Sequence, residues 1–267
     1  MKPLLSEAGQ SALRNFLVKP ALCLFDFDGT LAPLISNPAL VNLPPDIQQQ
    51  LQVLQRRAPI GIITGRSLAD MRKRLEFEPD YLIGNHGLEG LPGWDRRAPA
   101  NSELCRQWLS LLQPMLSPFV NAVWIEDKTY SLTVHYRNAR DQSSIQQSLS
   151  ACFATLLPAP RTLAGKFNIS LLPADAGDKG AAVRQLLQTF PTYRAIYVGD
   201  DRTDEDVFVM RHPDIFSVRV GTELPTAADY SIKDQDDIKR LLDLLLEILP
   251  PLASSSNKAN KNRVQSP

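Results

Sequence analysis

Two aspartates one residue apart, Asp26 and Asp28, end the apolar run Ala21–Phe25 and are followed by Gly29 and Thr30. Like charges this close repel, and each resists losing its water. Something must compensate them, or one must keep its proton. In an extended backbone residues i and i+2 share a face, so both carboxylates can flank one reacting group. Gly29 then lets the chain turn away through dihedrals closed to other residues. One carboxylate can attack phosphorus and carry the phosphoryl group; the other can protonate the leaving alkoxide and later activate water. One acid cannot do both jobs at once, so a pair fits that chemistry. A strand ending in an Asx turn would use the same residues with no chemistry at all. An EF-hand loop fits poorly: counted from Asp26, its sixth and twelfth positions are Leu31 and Asn37 instead of Gly and Glu.

Two further apolar runs end in polar clusters. Residues 59–63 lead into Thr64, Gly65, Arg66 and Ser67, and residues 195–198 lead into Gly199, Asp200, Asp201, Arg202, Thr203 and Asp204. Open α/β sheets bind ligands beyond the carboxyl ends of their strands. If the three strands are neighbours, their ends converge. Four or more carboxylates in one place make a divalent cation a natural compensator, and an all-oxygen set favours Mg²⁺ over zinc. In this reading Asp200 binds the ion directly, and Asp201 and Asp204 position it or its waters. The competing reading is that acids simply favour the first turn of a helix, where the macrodipole is positive. Thr64 offers a hydroxyl at a predicted helix start, a place suited to a phosphate oxygen. Lys179 also opens a predicted helix, where the dipole disfavours a cation. That conflict points to an anionic partner, a phosphate or Asp26.

Other candidates are softer. His86, in Gly84-Asn85-His86-Gly87, reads as a hinge or a substrate contact. His135 and His212 read first as structural. Trp94, Trp108 and Trp124 read as core or lid packing rather than sugar platforms. The sequence contains no GxxxxGK[ST], HExxH or GxSxG motif.

The elements that must position these groups follow from the pattern. The three apolar runs do not alternate with polar residues, which suits strands buried on both faces of a parallel sheet. Helices are predicted over 45–57, 67–75, 179–189 and 204–211, with a closing helix over 237–248. Strand followed by helix, repeated, predicts a Rossmann-like, doubly wound α/β core. The middle of the chain reads differently: strands over 122–127 and 130–137 form a hairpin, helices cover 101–115 and 141–157, and a strand covers 167–172. The expected organisation is a core of residues 1–85 and 171–250, an inserted α+β cap domain over 86–170, and a disordered polar tail over 251–267.

Bulk properties exclude some classes. The 267 residues are 43% hydrophobic, enough for a packed core. Lys plus Arg and Asp plus Glu number 29 each, so no charge excess marks a nucleic-acid or membrane surface. Three scattered cysteines, Cys23, Cys105 and Cys152, read as reduced thiols of a cytoplasmic protein. The N-terminal segment reads as an amphipathic helix, not a signal peptide. No run approaches the roughly 20 apolar residues that span a bilayer.

Taken in order, the DxDGT, strand-end Thr, Lys and GDDxxxD elements resemble the haloacid dehalogenase-type phosphatases. More narrowly, LFDFDGTLAPL, ITGRS, GNHGLEG, EDKTYSLTVHYR, DKGAAV and GDDRTDEDVF resemble the trehalose-6-phosphate phosphatase family, over residues 20–245. The resemblance implies Asp26 as nucleophile, Asp28 as general acid/base, and Thr64 and Lys179 on the phosphoryl group. It implies Mg²⁺ bound by Asp26, the backbone carbonyl of Asp28 and Asp200, supported by Asp201 and Asp204. Thr30, Arg66, Asn85 and His86 join the implied substrate contacts. On the cap, Glu126, Lys128, His135, Arg137, Gly165 and Lys166 are implied disaccharide contacts, against the alternative of a solvated hairpin. A sugar phosphate substrate, a monomeric state and functional pairing with a separate trehalose-phosphate synthase are also implied. One departure stands out. Where the family commonly reads GKxxxExRP this chain reads GKFNISLLP, with Ser170 and Leu172 at the usual acidic and basic positions. That keeps another glycosyl phosphate, such as glucosylglycerol phosphate, open as substrate, and a non-catalytic sugar-phosphate sensor or a phosphotransferase open as the role.

Overall fold

The computed structural model describes residues 1–35, 37–165, 167–223 and 225–251. Lys166 lies outside the described residues, as does all of the expected tail except Pro251. In chain order the strands are β1 (Lys2–Pro3), β2 (Ala21–Phe25), β3 (Ile60–Ile63), β4 (Tyr81–Ile83), β5 (Trp124–Asp127), β6 (Leu132–His135), β7 (Arg161–Gly165), β8 (Asn168–Leu172), β9 (Arg194–Gly199), β10 (Ile215–Val220) and β11 (Tyr230–Ile232). The α-helices are α1 (Glu7–Phe16), α2 (Pro45–Leu54), α3 (Leu68–Met71), α4 (Ala98–Leu116), α5 (Gln142–Phe153), α6 (Lys179–Thr189), α7 (Glu205–Phe208) and α8 (Ile238–Ile248). They divide into two units: Met1–Pro92 with the chain from Asp178 onward, and Gly93–Gly177.

In the larger unit seven strands form a sheet in the order β1-β11-β10-β9-β2-β3-β4, every pairing parallel. All five residues of β2 are buried. Ala21, Cys23 and Phe25 point to one face, where Ile47, Leu51, Leu241 and Leu245 cover them. Leu22 and Leu24 point to the other, against Val183, Leu186 and Phe208. Side chains alternate faces along a strand, so covering both faces demands an apolar residue at every position. α8 shows the helical counterpart: Leu241, Leu242 and Leu245 are buried while Lys239, Arg240, Asp243 and Glu247 are exposed. From β2 the chain moves outward through β3 and β4; it returns on the other side of β2 with β9 and leaves through β10 and β11. The reversal lies between β2 and β9, the switch point where open sheets bind ligands. β9, β2 and β3 are adjacent, as convergence of their polar ends requires.

α2 and α5 end three and four residues before their sequence windows do, at Leu54 and Phe153, and two other predicted helices shrink to four residues each. α7 starts at Glu205 because Arg202–Asp204 forms a 3₁₀ turn closed by reciprocal bonds between Asp201 and Asp204. α3 stops at Met71 because the next turn tightens to i→i+3 bonds, Lys73 to Asp70 at 3.2 Å and Arg74 to Met71 at 2.9 Å.

The smaller unit is a four-stranded antiparallel sheet, order β5-β6-β8-β7. Leu132, Val134, Ile169 and Leu171 form its inner face against Trp108 and Leu112 of α4 and Leu149 and Phe153 of α5. Trp108 is core packing as expected, and its indole N–H donates to Pro158 O at 3.1 Å. Trp124 is not: it is 49% exposed and stacks flat on the His135 ring, centroids 3.7 Å apart. Both of the unit's limits lie seven residues later in the chain than the expected 86–170. Leu91 packs in the larger unit's core and Pro92 O accepts from Gln185, so residues 86–92 stay there. Leu171 and Leu172 continue β8 against β7, and Arg161 donates to Gly177 O at 2.6 Å, which ties residues 171–177 to the smaller unit.

Candidate active site

Asp26 is the first residue after β2, and its N–H donates to Val198 O of β9 at 2.9 Å. Lys179, at the start of α6 and 1% exposed, places Nζ 2.9 Å from Asp26 Oδ1 and 2.8 Å from Asp204 Oδ1. Two buried carboxylates thus hold the cation against the helix dipole. One oxygen each from Asp26, Asp200 and Asp204 lies within 4.8 Å of the others. Asp204 is fixed further by the Tyr197 hydroxyl at 2.6 Å and by the Asp201 N–H at 2.9 Å. Asp200 accepts from the Thr30 hydroxyl at 3.1 Å. Backbone approach is close: a Cβ on Gly29, whose φ is +81°, would fall 2.1 Å from Asp200 Oδ2, and one on Gly199 would fall 2.2 Å from Asp204 Cγ. Both positions exclude any larger residue.

Three carboxylates against one ammonium leave two negative charges uncompensated (−3 + 1 = −2). The pKa shifts of the cluster follow from this imbalance and from burial. Burial raises Asp26 well above the carboxylate range; Lys179 opposes, and Asp204 and Asp200 add to the rise. Burial, then Asp204, push Asp200 up to about 7, with Lys179 again opposing. Burial alone would lower Lys179, but Asp204 and Asp26 outweigh it and hold the ammonium above its ordinary range. The donor set therefore fits a doubly charged, oxygen-seeking ion.

A pH prediction follows. Asp200 ionises near pH 3.8 in the unfolded chain and near 7 in the fold. Between those values the folded protein binds more protons, so its stability falls as pH rises. In chelator, Tm should drop from about pH 4 to about pH 7, and an added divalent cation should flatten that slope. Thermal melts across pH, with and without the ion, test this; a Tm that climbs with pH in chelator would contradict it.

The structure rearranges the expected contacts. Asp201 is exposed and outside the carboxylate cluster, where it serves the turn instead of ligating. Thr30 is fully buried with its hydroxyl on Asp200, so it braces a carboxylate, not a substrate. Asn85 is fully buried and donates to the Glu89 carboxylate, which braces the loop after β4. Arg66 grips Asp28, with Nε–Oδ2 2.7 Å and Nη2–Oδ1 2.6 Å, and also binds Asp70 and Pro38 O. Thr64 directly follows β3, 1% exposed, with Oγ1 accepting from the Arg66 N–H at 3.2 Å. His86 and Asn85 are consecutive left-handed residues, φ +58° and +48°, and the His86 ring lies where a Gly65 Cβ would be, 2.5 Å from Cε1. Such strained non-glycine pairs gather at functional sites. The residue missed in the sequence is Tyr197, read only as part of an apolar run. A phenol one turn of chain before an acidic strand end was its only signal.

In the smaller unit, His135 Nε2 lies 2.9 Å from Glu126 Oε2, with Lys128 Nζ 3.9 Å from the same oxygen. Register sets Glu126 opposite Thr133 and Thr133 opposite Ser170, on the sheet face away from Leu132 and Leu171. The Thr133 and Ser170 hydroxyls bond at 2.9 Å. Arg137 is exposed, its guanidinium 5.5 Å over the Phe167 ring, and Gly165 ends β7.

A model of the trehalose-phosphatase family matches residues 24–236, which includes every active-site residue named above. The chain belongs to this family. It is 33% identical over 216 residues to a trehalose-phosphate phosphatase of Mycobacterium tuberculosis, covering 73% of this chain and 55% of that protein. Trehalose-phosphate phosphatase B of Arabidopsis thaliana is 27% identical over 251 residues, covering 86% and 67%. This member thus spans about half the length of the mycobacterial relatives, 55%. Among solved structures, a trehalose-6-phosphate phosphatase related protein matches with TM-score 0.69 and 24% identity over 85% of this chain and 98% of that one. The Aspergillus fumigatus trehalose-6-phosphate phosphatase matches with TM-score 0.64 and 23% identity over 92% and 99%. These place the fold among haloacid dehalogenase-like proteins with a separate antiparallel insert. No helix among the described residues is long and apolar enough to cross a membrane.

Proposed function

We propose that the protein is a Mg²⁺-dependent phosphatase that hydrolyses trehalose 6-phosphate to trehalose and phosphate through an aspartyl-phosphate on Asp26. The observation that carries this is Asp26, held 2.9 Å from Lys179 at the sheet's switch point, with the second acid Asp28 two residues on. In the first step an Asp26 oxygen attacks phosphorus and the bond to the sugar oxygen breaks, while Asp28 gives that oxygen its proton. In the second, water attacks the aspartyl-phosphate, Asp28 takes the water's proton, and free Asp26 and phosphate result. Lys179 and Thr64 hold the phosphoryl oxygens. Asp26, Asp200 and the Asp28 carbonyl would hold Mg²⁺, with Asp204 supporting and Asp201 closing the turn that carries Asp204, and the bound ion would supply positive charge for the transferring group. His86, Glu126, Lys128, His135, Arg137, Gly165 and Lys166 are the proposed sugar contacts, as hydroxyl-rich ligands need fixed donors and acceptors. The enzyme acts as a cytoplasmic monomer, with a separate synthase supplying its substrate.

A second reading keeps the chemistry and changes the sugar. Ser170 is bonded to Thr133 and Leu172 is fully buried, so neither offers the charged group that the family's usual pattern places there. Phosphate release with Mg²⁺ from trehalose 6-phosphate, glucosylglycerol phosphate, sucrose 6-phosphate and glucose 6-phosphate decides. Preference for the first supports the proposal, and preference for another supports the second reading. Release from none by a folded protein that binds one of them would indicate a sensor.

A further inference from the structure

The Asp28 side chain is 30% exposed, yet its direction is fixed by a guanidinium that is itself fixed. Arg66 holds both carboxylate oxygens at once, 2.7 Å from Nε and 2.6 Å from Nη2. Its remaining edge binds Asp70 Oδ2 at 2.8 Å and Pro38 O at 2.9 Å. Asp70 is in turn gripped by Arg74 through two bonds of 2.9 and 2.8 Å, and Arg74 reaches the carbonyls of Ala39 and Val41. The Arg66 backbone is tied too: its carbonyl accepts from the Asn85 N–H at 2.8 Å. A planar fork with every edge anchored sets the plane as well as the position of the carboxylate it holds. This network uses none of the groups that hold Asp26.

We propose that Arg66 is the positioning residue for Asp28, orienting its carboxylate for both proton transfers and taking no direct part in holding substrate. This rests on the general acid/base reading of Asp28 given above. The balance is simple. On the first transfer the Asp28 proton goes to the sugar oxygen, and the carboxylate left behind accepts both guanidinium bonds. On the second, one oxygen leaves the fork to take the proton of the attacking water. Arg66 exchanges no atom or electron in either step.

The test separates the two proton transfers by leaving group. An aryl phosphate such as p-nitrophenyl phosphate expels its phenolate without a proton, whereas hydrolysis of the aspartyl-phosphate still needs the base. Arg66→Met, and Arg66→Lys as the milder variant, should lower kcat on a sugar phosphate by about 10²-fold with KM within about twofold. On the aryl phosphate both should give a burst of one phenolate per protein, then slow turnover. Asp28→Asn should show the same burst, and Arg66→Met with Asp28→Asn together should be no slower than Asp28→Asn alone. Circular dichroism confirms that each variant is folded. A raised KM with kcat kept, an absent burst, wild-type behaviour of Arg66→Lys, or losses that multiply would overturn the proposal. If Asp28→Asn itself turns over sugar phosphate normally, the general acid/base reading fails instead, whatever the Arg66 variants do.

Discussion

Replacing Asp26 by Asn should lower phosphate release by about 10⁴-fold or more and leave the protein folded. A carboxamide is no nucleophile towards phosphorus, so an aspartyl-phosphate cannot form at this position. The change is nearly isosteric and removes one of three carboxylates crowded within 4.8 Å. Because burial, Asp204 and Asp200 all raise the Asp26 pKa, its charge is a strain on the fold near neutral pH. Lys179 keeps Asp204 as partner at 2.8 Å. Tm in chelator should therefore hold or rise while activity vanishes. Activity assays and thermal melts on the same preparation check both halves. Retention of a tenth of the activity would exclude Asp26 as nucleophile.

Lys179→Met should damage both activity and stability. The ammonium is buried between Asp26 and Asp204 and supplies the site's compensating positive charge among the described residues nearest it. Removing one member of a buried ion cluster costs about 3–5 kcal/mol, because the remaining charges stay buried without it. In a protein of this size that is a Tm loss of roughly 10 °C. On the proposed mechanism, loss of the cation that holds the phosphoryl oxygens should also lower kcat by about 10²–10³-fold. Adding Asp204→Asn to Lys179→Met should recover much of the stability and none of the activity, since it removes a stranded charge but restores no cation. Recovery of activity in that double variant would show that Lys179 acts only by neutralising Asp204.

What the sequence made legible was the part of the molecule built from strong, local patterns. Residues 21–25 are apolar at every position, and β2 is buried on both faces; Asp26 and Asp28 follow at once, so the site announced itself. The Lys179 conflict with its helix dipole pointed to an anionic partner, a phosphate or Asp26, and an ion pair with Asp26 is there at 2.9 Å. The parts that stayed hidden depend on direction or on distant partners. Arg66 and Asp28 are 38 residues apart, and no spacing rule tells a guanidinium whether to face a substrate or an aspartate. Thr30 and Asn85 have the right chemistry for ligand contacts but turn inward to Asp200 and Glu89. Tyr197 sits in a continuous apolar run of a buried strand, and the partner of its hydroxyl, Asp204, lies seven residues on. The domain limits moved because Leu91 and Leu171 are equally apolar, and only their neighbours assign them to different cores.

The strand order also sets a schedule for biosynthesis. β2, with Asp26, is made early, but its partner β9 is made after the whole smaller unit, and Ala21–Phe25 pairs with residues 194–198. Lys179, Asp200 and Asp204 come from the same late segment. Until β9 leaves the ribosome, β2 has an unpaired edge and Asp26 has neither its cation nor its fellow carboxylates. Contacts between segments so distant in sequence form slowly, and an open edge invites wrong partners. The smaller unit, whose strands pair only among themselves, can fold during that interval. Reactivity then arrives in one late event, so a ribosome-stalled chain ending before β9 should hold a folded insert and no phosphatase activity.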